Sequence, residues 1–206
     1  NCIYDEIAED WTWVWGDEFN DEILDLSKWD YQLGTGSQYG LVGWGNNELQ
    51  YYTDESINIY LDECDIDKQC LIISAYNQTY ENSDYTSARI KSGGSGIRTY
   101  GRIEVRAKLP IAQGTWPAIW MLPENSMYGN WPASGEIDIM EHVGCDVGTI
   151  HGSIHCENYN HQDGSQQTNT ISNINVAEFN IYRIDWDENS ISWFVDDYFC
   201  LWHCFW

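Results

Sequence analysis

The chain has 206 residues, enough for one sizeable domain, and 43% of them are hydrophobic, so it can bury a core. Acidic residues outnumber basic ones 33 to 9, which gives a formal charge of −24. This negative charge argues against nucleic acid and anionic membranes as partners, because both are bound through basic patches. It argues equally against a polyanionic substrate such as a sulfated polysaccharide.

The aromatic residues are mostly Trp and Tyr, with 12 Trp and 14 Tyr against 5 Phe. Both side chains combine an apolar ring with a polar atom, which suits surfaces that are half buried and half wet. Some of these rings must belong to the core. The number of Trp exceeds what a core of this size needs, so we expect several of them to line a ligand groove.

The cysteines and one sequon indicate an oxidising compartment. None of the seven Cys forms a C-x-x-C pair, which argues against a zinc site, and the spacing of Cys64 and Cys70 suits a disulfide. Asn77 begins the N-glycosylation sequon Asn-Gln-Thr. No stretch reaches the about 18 apolar residues that a membrane span needs. We therefore expect a secreted glycoprotein, in which the odd cysteine is free or paired outside this chain.

Along the chain, the dominant pattern has a period of two. Residues 101–109 alternate apolar side chains with charged ones, as a half-buried strand does. Runs rich in β-branched and aromatic residues predict further strands at 11–15, 49–53, 57–61, 71–76, 87–91, 117–122, 136–143, 149–155, 179–186 and 191–195. No segment holds a helical period beyond a turn or two. The sequence predicts an all-β chain, with residues 1–206 forming a single antiparallel sandwich or barrel.

The stretch SGEIDIMEHV at 134–143 is the most informative for chemistry. In a regular strand Glu136 and Asp138 point to one face and Glu141 to the other. One extra residue that bulges near 139–140 would bring Glu141 onto the face of the other two. The two Glu Cα atoms would then be ~13 Å apart. Side chains leaning together can reach the ~5–5.5 Å carboxyl spacing of retaining glycosidases.

The middle carboxyl of such a row has a physical role of its own. Asp138, between two acids, can share a proton with a nucleophile and help to keep the acid/base protonated. The alternative is a solvated acidic strand, which is common in a chain of this charge. The acid triplet alone leaves both interpretations open.

The segments around the acids resemble the laminarinase-like branch of glycoside hydrolase family 16. The resemblance runs from about Trp15 to Asp197, in the family's order. The matching motifs are GWGNNELQYYT at 43–53, YTSARI at 85–90, YGRIEVRAKLP at 100–110, WPAIWMLP at 116–123, YGNWPASGE at 128–136 and HGSIH at 151–155. The resemblance implies a jelly-roll, concanavalin-like β-sandwich. It also implies retaining endo-hydrolysis of β-1,3-glucan (laminarin-type) or of mixed β-1,3/1,4-glucan.

The resemblance also assigns roles by position. Glu136 matches the nucleophile, Asp138 the assisting carboxylate and Glu141 the general acid/base. The matches to substrate-binding residues are Trp116, Trp120 and Trp131 near the cleft, Asn46 and Arg89 on glucosyl hydroxyls, and His155 near the acid/base. Structural alternatives remain open: Trp116 and Trp120 could be core, Arg89 could pair with an acid, and His155 could be an interior histidine.

No cofactor is required by this resemblance. Some family members hold a structural calcium ion through the Glu of an Asp-Glu-Phe segment like residues 17–19. Their second carboxylate lies in a C-terminal part that this sequence does not match, which argues against calcium here.

The sequence departs from the family after Asp197. Family members continue there with further strands, whereas residues 198–206 match none of them, so we expect a C-terminally incomplete sandwich with its last strands missing. The alternative is that the aromatic tail 198–206 folds back over the gap, held by Cys200 or Cys204.

Three other functions compete with the glucanase interpretation. One is a non-catalytic β-glucan recognition module, since related recognition proteins keep the sandwich and lose the acids. Another is an inactive fragment, and the third is a hydrolase of another neutral polysaccharide. All three acids are present here, which counts against the recognition module. The expected partner is a β-glucan polysaccharide, bound by a monomer.

Overall fold

The computed structural model describes residues 11–65, 68–96 and 98–202. Within these ranges the regular secondary structure consists of β-strands and a few short 3-10 segments, joined by loops and turns. It divides into two compact units, one of residues 12–97 and one that contains Trp11 and the described residues from Arg98 onward. Over the described residues, no helix has the length and apolar character that a membrane crossing requires.

The unit of residues 12–97 contains several small sheets. Its strands are β1 (Trp29–Tyr31), β2 (Gln50–Tyr52), β3 (Ile59–Asp65), β4 (Lys68–Ile73), β5 (Tyr76–Tyr80), β6 (Ser83–Ser87) and β7 (Ile90–Ser92), and its 3-10 segments are Ser37–Tyr39, Val42–Gly45 and Gly94–Gly96. β1 pairs with β7, β3 pairs with β4, and β6 lies between β2 and β5. β2 and β6 run parallel, against the antiparallel expectation. Their long connection through β3–β5 makes parallel pairing possible.

The β3–β4 hairpin carries the predicted disulfide. Cys64 on β3 and Cys70 on β4 are bonded, with their Cα atoms 5.7 Å apart. The side chain of Asn77 on β5 is exposed, so the sequon is accessible. A small core of this unit contains Leu24, Ile59 and Ala88.

The second unit contains two four-stranded antiparallel sheets. Its strands are β8 (Gly101–Ala107), β9 (Ala118–Met121), β10 (Glu136–Glu141), β11 (Ile150–His155), β12 (Gln167–Ile171), β13 (Asn180–Trp186), β14 (Ile191–Val195) and β15 (Tyr198–Trp202). The sheet orders are β12-β11-β10-β9 and β15-β14-β13-β8. Apolar side chains from both sheets, among them Met140, Ile154, Ile184 and Trp193, form one core. The sheets therefore pack face to face, and the predicted layered all-β architecture is confirmed.

Three strand predictions need correction. Residues 11–15 form no strand, and the side chains of Trp13 and Val14 are 76% and 62% exposed. Their aromatic and β-branched character predicts a strand, but no described strand pairs with this segment. The Trp11 ring instead lies against the Arg102 guanidinium, and the Trp15 ring packs edge-on against Trp29. The predicted strand 71–76 covers the end of β4 and the start of β5, and the predicted strand 87–91 covers the end of β6 and the start of β7.

The residues after Asp197 pair with the sheet. β15 pairs with β14 in antiparallel register from Tyr198 to Trp202. This agrees with the alternative in which the aromatic tail folds back. The suggested attachment through Cys200 or Cys204 concerns side chains outside the described ones.

Candidate active site

A β-bulge interrupts β10 near the middle of its sheet. Asp138 pairs with Ser153 of β11 and Glu141 pairs with His151, so three steps along β10 oppose two along β11. The pairing of β10 with β9 on the other side shifts at the same place. β10 therefore contains one extra residue, as the sequence predicted.

The bulge decides which side chains face the core. Met140 is 1% exposed and lies in the apolar cluster together with Ile139. In a regular strand Met140 would instead share a face with Asp138. Because two consecutive residues turn inward, Glu141 turns to the face that carries Glu136 and Asp138. The three carboxylates thus form one row, which we call the carboxylate row.

Glu136 begins this row and is half-buried. The indole Nε1 of Trp131 donates a hydrogen bond to Glu136 Oε2 over 2.5 Å. Burial raises the pKa of Glu136, and the charge of Asp138 raises it further. His155 and the Trp131 N–H act in the opposite direction and favour the ionised carboxylate.

Asp138, in the middle of the row, is 2% exposed. Burial raises its pKa, and the charge of Glu141 adds to this effect. Its Oδ2 lies 3.1 Å from Nε2 of His155, and its carboxyl is hydrogen-bonded to that of Glu136. Two buried carboxyls in contact do not both ionise easily, so the pair retains one shared proton near neutral pH.

Glu141 ends the row in a more open environment. The indole Nε1 of Trp116 donates to Glu141 Oε1 over 2.9 Å, and the Trp116 side chain is 51% exposed. Trp116 is therefore not a core residue. Each outer carboxylate of the row accepts a hydrogen bond from one indole.

The neighbouring strand β11 presents polar side chains to the row. His155, Ser153 and His151 are the register partners of the three carboxylates, in that order. Directly paired residues of neighbouring strands point to the same face. His151 was not predicted as a site residue. The alternation of polar residues in HGSIH, aligned with the acids, is a signal that could have found it.

His161, in the loop after β11, was also missed. Its ring centroid lies 4.8 Å from that of Trp131 and 5.3 Å from that of His155. Burial and the neighbouring His155 lower the pKa of His161, so its imidazole is neutral at pH 7. It thus packs against the two side chains that contact Glu136 and Asp138. The loop has no periodic pattern, so no signal in the sequence pointed to it.

The predicted substrate-binding residues fall into two groups, one beside the carboxylate row and one in the unit of residues 12–97. Trp131 and His155 contact the row, and Trp120 is the register partner of Asp138 on β9. His155 is both interior, at 4% exposed, and in contact with the row.

Asn46 and Arg89 belong to the unit of residues 12–97. Arg89 Nε donates to Gln32 Oε1 over 2.7 Å, and its guanidinium lies 4.3 Å from the centre of the Trp44 ring. Asn46 ends the 3-10 segment Val42–Gly45, with its backbone N–H donating to Gly43. Contact of these two side chains with a glucan stays a prediction.

Residues 17–19, which the resemblance links to a structural calcium ion, are not arranged as a calcium site. Asp17 accepts hydrogen bonds from the Trp29 indole and the Phe19 amide, and the Lys28 ammonium lies 3.5 Å away. Glu18 is exposed. In the described part of the chain, the only three potential metal ligands that lie close together are in the carboxylate row and its His155 partner. We therefore derive no role for calcium.

The family model described as "Glycosyl hydrolases family 16" matches residues 37–200. The chain belongs to glycosyl hydrolase family 16. The laminarinase catalytic domain of Thermotoga maritima superposes on this family 16 chain with a TM-score of 0.84 at 39% identity, covering 93% of this chain and 76% of that one. The jelly-roll β-sandwich that the sequence resemblance implied is thereby confirmed.

This chain matches only part of the length of two relatives. A β-glucanase of Rhodothermus marinus is 46% identical over 194 residues, which cover 92% of this chain and 64% of that protein. Glucan endo-1,3-beta-glucosidase A1 of Niallia circulans is 37% identical over 193 residues, covering 90% of this chain and 28% of that protein. The family 16 chain thus spans less than two thirds of each.

Proposed function

We propose that this chain is the catalytic part of a retaining endo-β-1,3-glucanase that hydrolyses laminarin-type β-1,3-glucan or mixed β-1,3/1,4-glucan. The observation that carries the proposal is the bulged carboxylate row, in which two glutamates flank a buried aspartate on one face of a sheet. Retaining glycosidases use such a pair of carboxyls, one as nucleophile and one as acid/base. The names of the relatives support β-glucan as the substrate class.

Glu136 is the nucleophile in this mechanism. Its carboxylate attacks the anomeric carbon and forms a covalent glycosyl-enzyme, while the bond from the sugar to the leaving oxygen breaks. The Trp131 N–H stabilises the ionised form that this attack requires. The hydrogen bond between the two carboxyls raises the pKa of Glu136 and lowers that of Asp138, so Glu136 carries the shared proton at rest. Transfer of this proton to Asp138 ionises Glu136 for the attack. The Asp138 hydroxyl then donates a hydrogen bond that keeps the nucleophile oriented without a second negative charge beside it.

Glu141 is the acid/base. It protonates the leaving glycosidic oxygen in the first step and accepts a proton from the attacking water in the second. Its position at the open end of the row suits both transfers, since a leaving sugar and a water must reach it. The Trp116 N–H fixes one carboxylate oxygen and leaves the other for the proton.

A neutral glucan suits the surroundings of the row. Sugar rings present C–H groups that stack on aromatic faces. We propose that Trp116, Trp120 and Trp131 supply such faces and that His155 supports the row. The formal charge of −24 would repel a sulfated chain.

We further propose that the enzyme works outside the cell as a monomer. The Cys64–Cys70 disulfide supports an oxidising compartment, and the exposed Asn77 is open to glycosylation.

The test of the function is the stereochemistry of laminarin hydrolysis by the purified chain. NMR spectra of the first minutes should show the β-anomer of the new reducing end before mutarotation. The α-anomer first would mean inversion and would contradict the proposed geometry. Laminarin binding without any hydrolysis would favour the recognition module.

A further inference from the structure

The buried indole of Trp193 makes a hydrogen bond that crosses the sandwich. Trp193 lies on β14, in the sheet opposite to β10, and is 5% exposed. Its Nε1 donates to the main-chain carbonyl oxygen of Asp138 over 2.8 Å. The acceptor is at the residue where the β10 register shifts. A side chain of one sheet therefore binds the backbone of the other at the bulge.

A bulge disrupts the hydrogen-bond ladder locally, so backbone groups beside it need other partners. A buried carbonyl without a partner is costly. The Trp193 N–H satisfies the Asp138 carbonyl in the bulged register.

Gly152 makes room for this indole. It lies on β11 between the register partners of Asp138 and Glu141, opposite the extra residue. A Cβ atom at Gly152 would lie 2.5 Å from Cδ1 and 2.6 Å from Nε1 of Trp193, a clash with a ring held in the core. The ring thus packs directly over the backbone that faces the bulge.

We propose that Trp193 is a positioning residue, whose indole N–H holds the bulge of β10 and thereby the placement of Glu141 relative to Glu136. This inference rests on the proposed function. Glu136 and Asp138 precede the extra residue and Glu141 follows it. Loss of the bond therefore displaces the acid/base and leaves the nucleophile in place, because a one-residue change of register turns the following side chains to the other face.

Two substrates distinguish a defect at the acid/base Glu141 from a defect at the nucleophile Glu136. Hydrolysis of laminarin needs both the nucleophile and protonation of the leaving oxygen. A 2,4-dinitrophenyl β-laminaribioside carries a leaving group that departs without protonation. Its kcat/KM reports only the first chemical step, which depends on Glu136.

Trp193→Phe removes the N–H and keeps an aromatic ring. The matched control is Trp186→Phe on β13 of the same sheet, because the Trp186 Nε1 is buried with no hydrogen-bond partner among the described residues. For Trp193→Phe we expect kcat/KM on laminarin to fall by ~10-fold or more, and on the aryl glycoside by less than ~3-fold. For Trp186→Phe both values should stay within ~3-fold of wild type.

Equal losses on the two substrates, or equal behaviour of the two variants, would overturn the inference. If Trp193→Phe does not fold, site-specific replacement of Trp193 by benzothienylalanine keeps the ring shape and puts sulfur in place of the N–H. The same split between substrates is expected, and wild-type values would refute the proposal. A wild-type chain that hydrolyses neither substrate would refute the proposed function itself, whereas an active wild type with equal losses refutes only the role of Trp193.

Discussion

The two ends of β10 carry the same side chain in different surroundings. Before the bulge, Glu136 lies against a buried aspartate, an imidazole and the Trp131 indole. After the bulge, Glu141 is bound by the half-exposed Trp116. The dry end suits a carboxylate that attacks carbon, and the open end suits one that exchanges protons. In the proposed mechanism, the environment of each glutamate, and not its residue type, decides which role it takes.

The largest expected effect is the loss of the nucleophile. Glu136→Gln should lower kcat/KM by ~10⁴-fold or more on both laminarin and the dinitrophenyl glycoside, because the covalent step disappears. Circular dichroism and laminarin affinity should stay close to wild type. If the variant retains more than about a tenth of the wild-type rate on laminarin, the role given to Glu136 is wrong.

Glu141→Gln should separate the two ends of β10. We expect a fall of ~10²–10⁴-fold in kcat/KM on laminarin, the usual contribution of general acid catalysis, and little change on the dinitrophenyl glycoside. The two substrates are compared on one protein preparation. A similar loss on both would mean that Glu141 does not act as the acid.

The indoles of Trp131 and Trp116 provide a second comparison between the two ends of β10. Trp131→Phe removes a hydrogen bond that favours ionised Glu136, so the pKa of Glu136 should rise and the acidic limb of the kcat/KM profile should move to higher pH. The loss at neutral pH should be ~10-fold on both substrates, as expected for a bond to a charged group. Trp116→Phe is the matched control at the other end. It should spare the aryl glycoside, and an identical pH shift in both variants would contradict the difference between the two environments.

The smallest effect concerns stability. Burial raises the pKa of Glu136 to about 8 and that of Asp138 to about 7. Both folded pKa values lie above those of the unfolded chain. The contribution of this pair to the free energy of unfolding is therefore complete below about pH 4 and is lost as the pH rises through 7 to 8. The melting temperature of the wild type should therefore fall between pH 5 and 8.5, and Glu136→Gln should show a smaller fall.

The control for this measurement is Glu188→Gln, which removes the same charge from an exposed position. It should leave the wild-type slope unchanged. Equal slopes for wild type and Glu136→Gln would show that this pair does not carry the pH dependence.

The sequence predicted the carboxylate row because its signal is local. The spacing of Glu136, Asp138 and Glu141 fits one face only with an extra residue, and the structure places the register shift there. Contacts between residues far apart in the sequence have no such local signal. Trp193 lies 55 residues from Asp138, and nothing in its own strand indicates an acceptor on the other sheet.

Other strand predictions were wrong because the composition of a segment did not match its structure. β12 has the sequence QTNTI, which lacks the apolar alternation of a half-buried strand, so it was not predicted. Its pairing with β11 stabilises it instead. Conversely, residues 11–15 have strand-like residues and no neighbouring strand to pair with in the described structure. Strand propensity reports how well a residue suits a sheet, and neighbours decide whether the sheet forms.

The most direct test of the account is to trap the covalent intermediate. A 2,4-dinitrophenyl 2-deoxy-2-fluoro-β-laminaribioside should inactivate the enzyme with release of one equivalent of dinitrophenol, since the fluorine slows hydrolysis of the glycosyl-enzyme. Mass spectrometry of the digested protein should locate the sugar on Glu136. A label on Asp138 or Glu141, or an active enzyme that accumulates no label, would contradict the assignment of the carboxylate row.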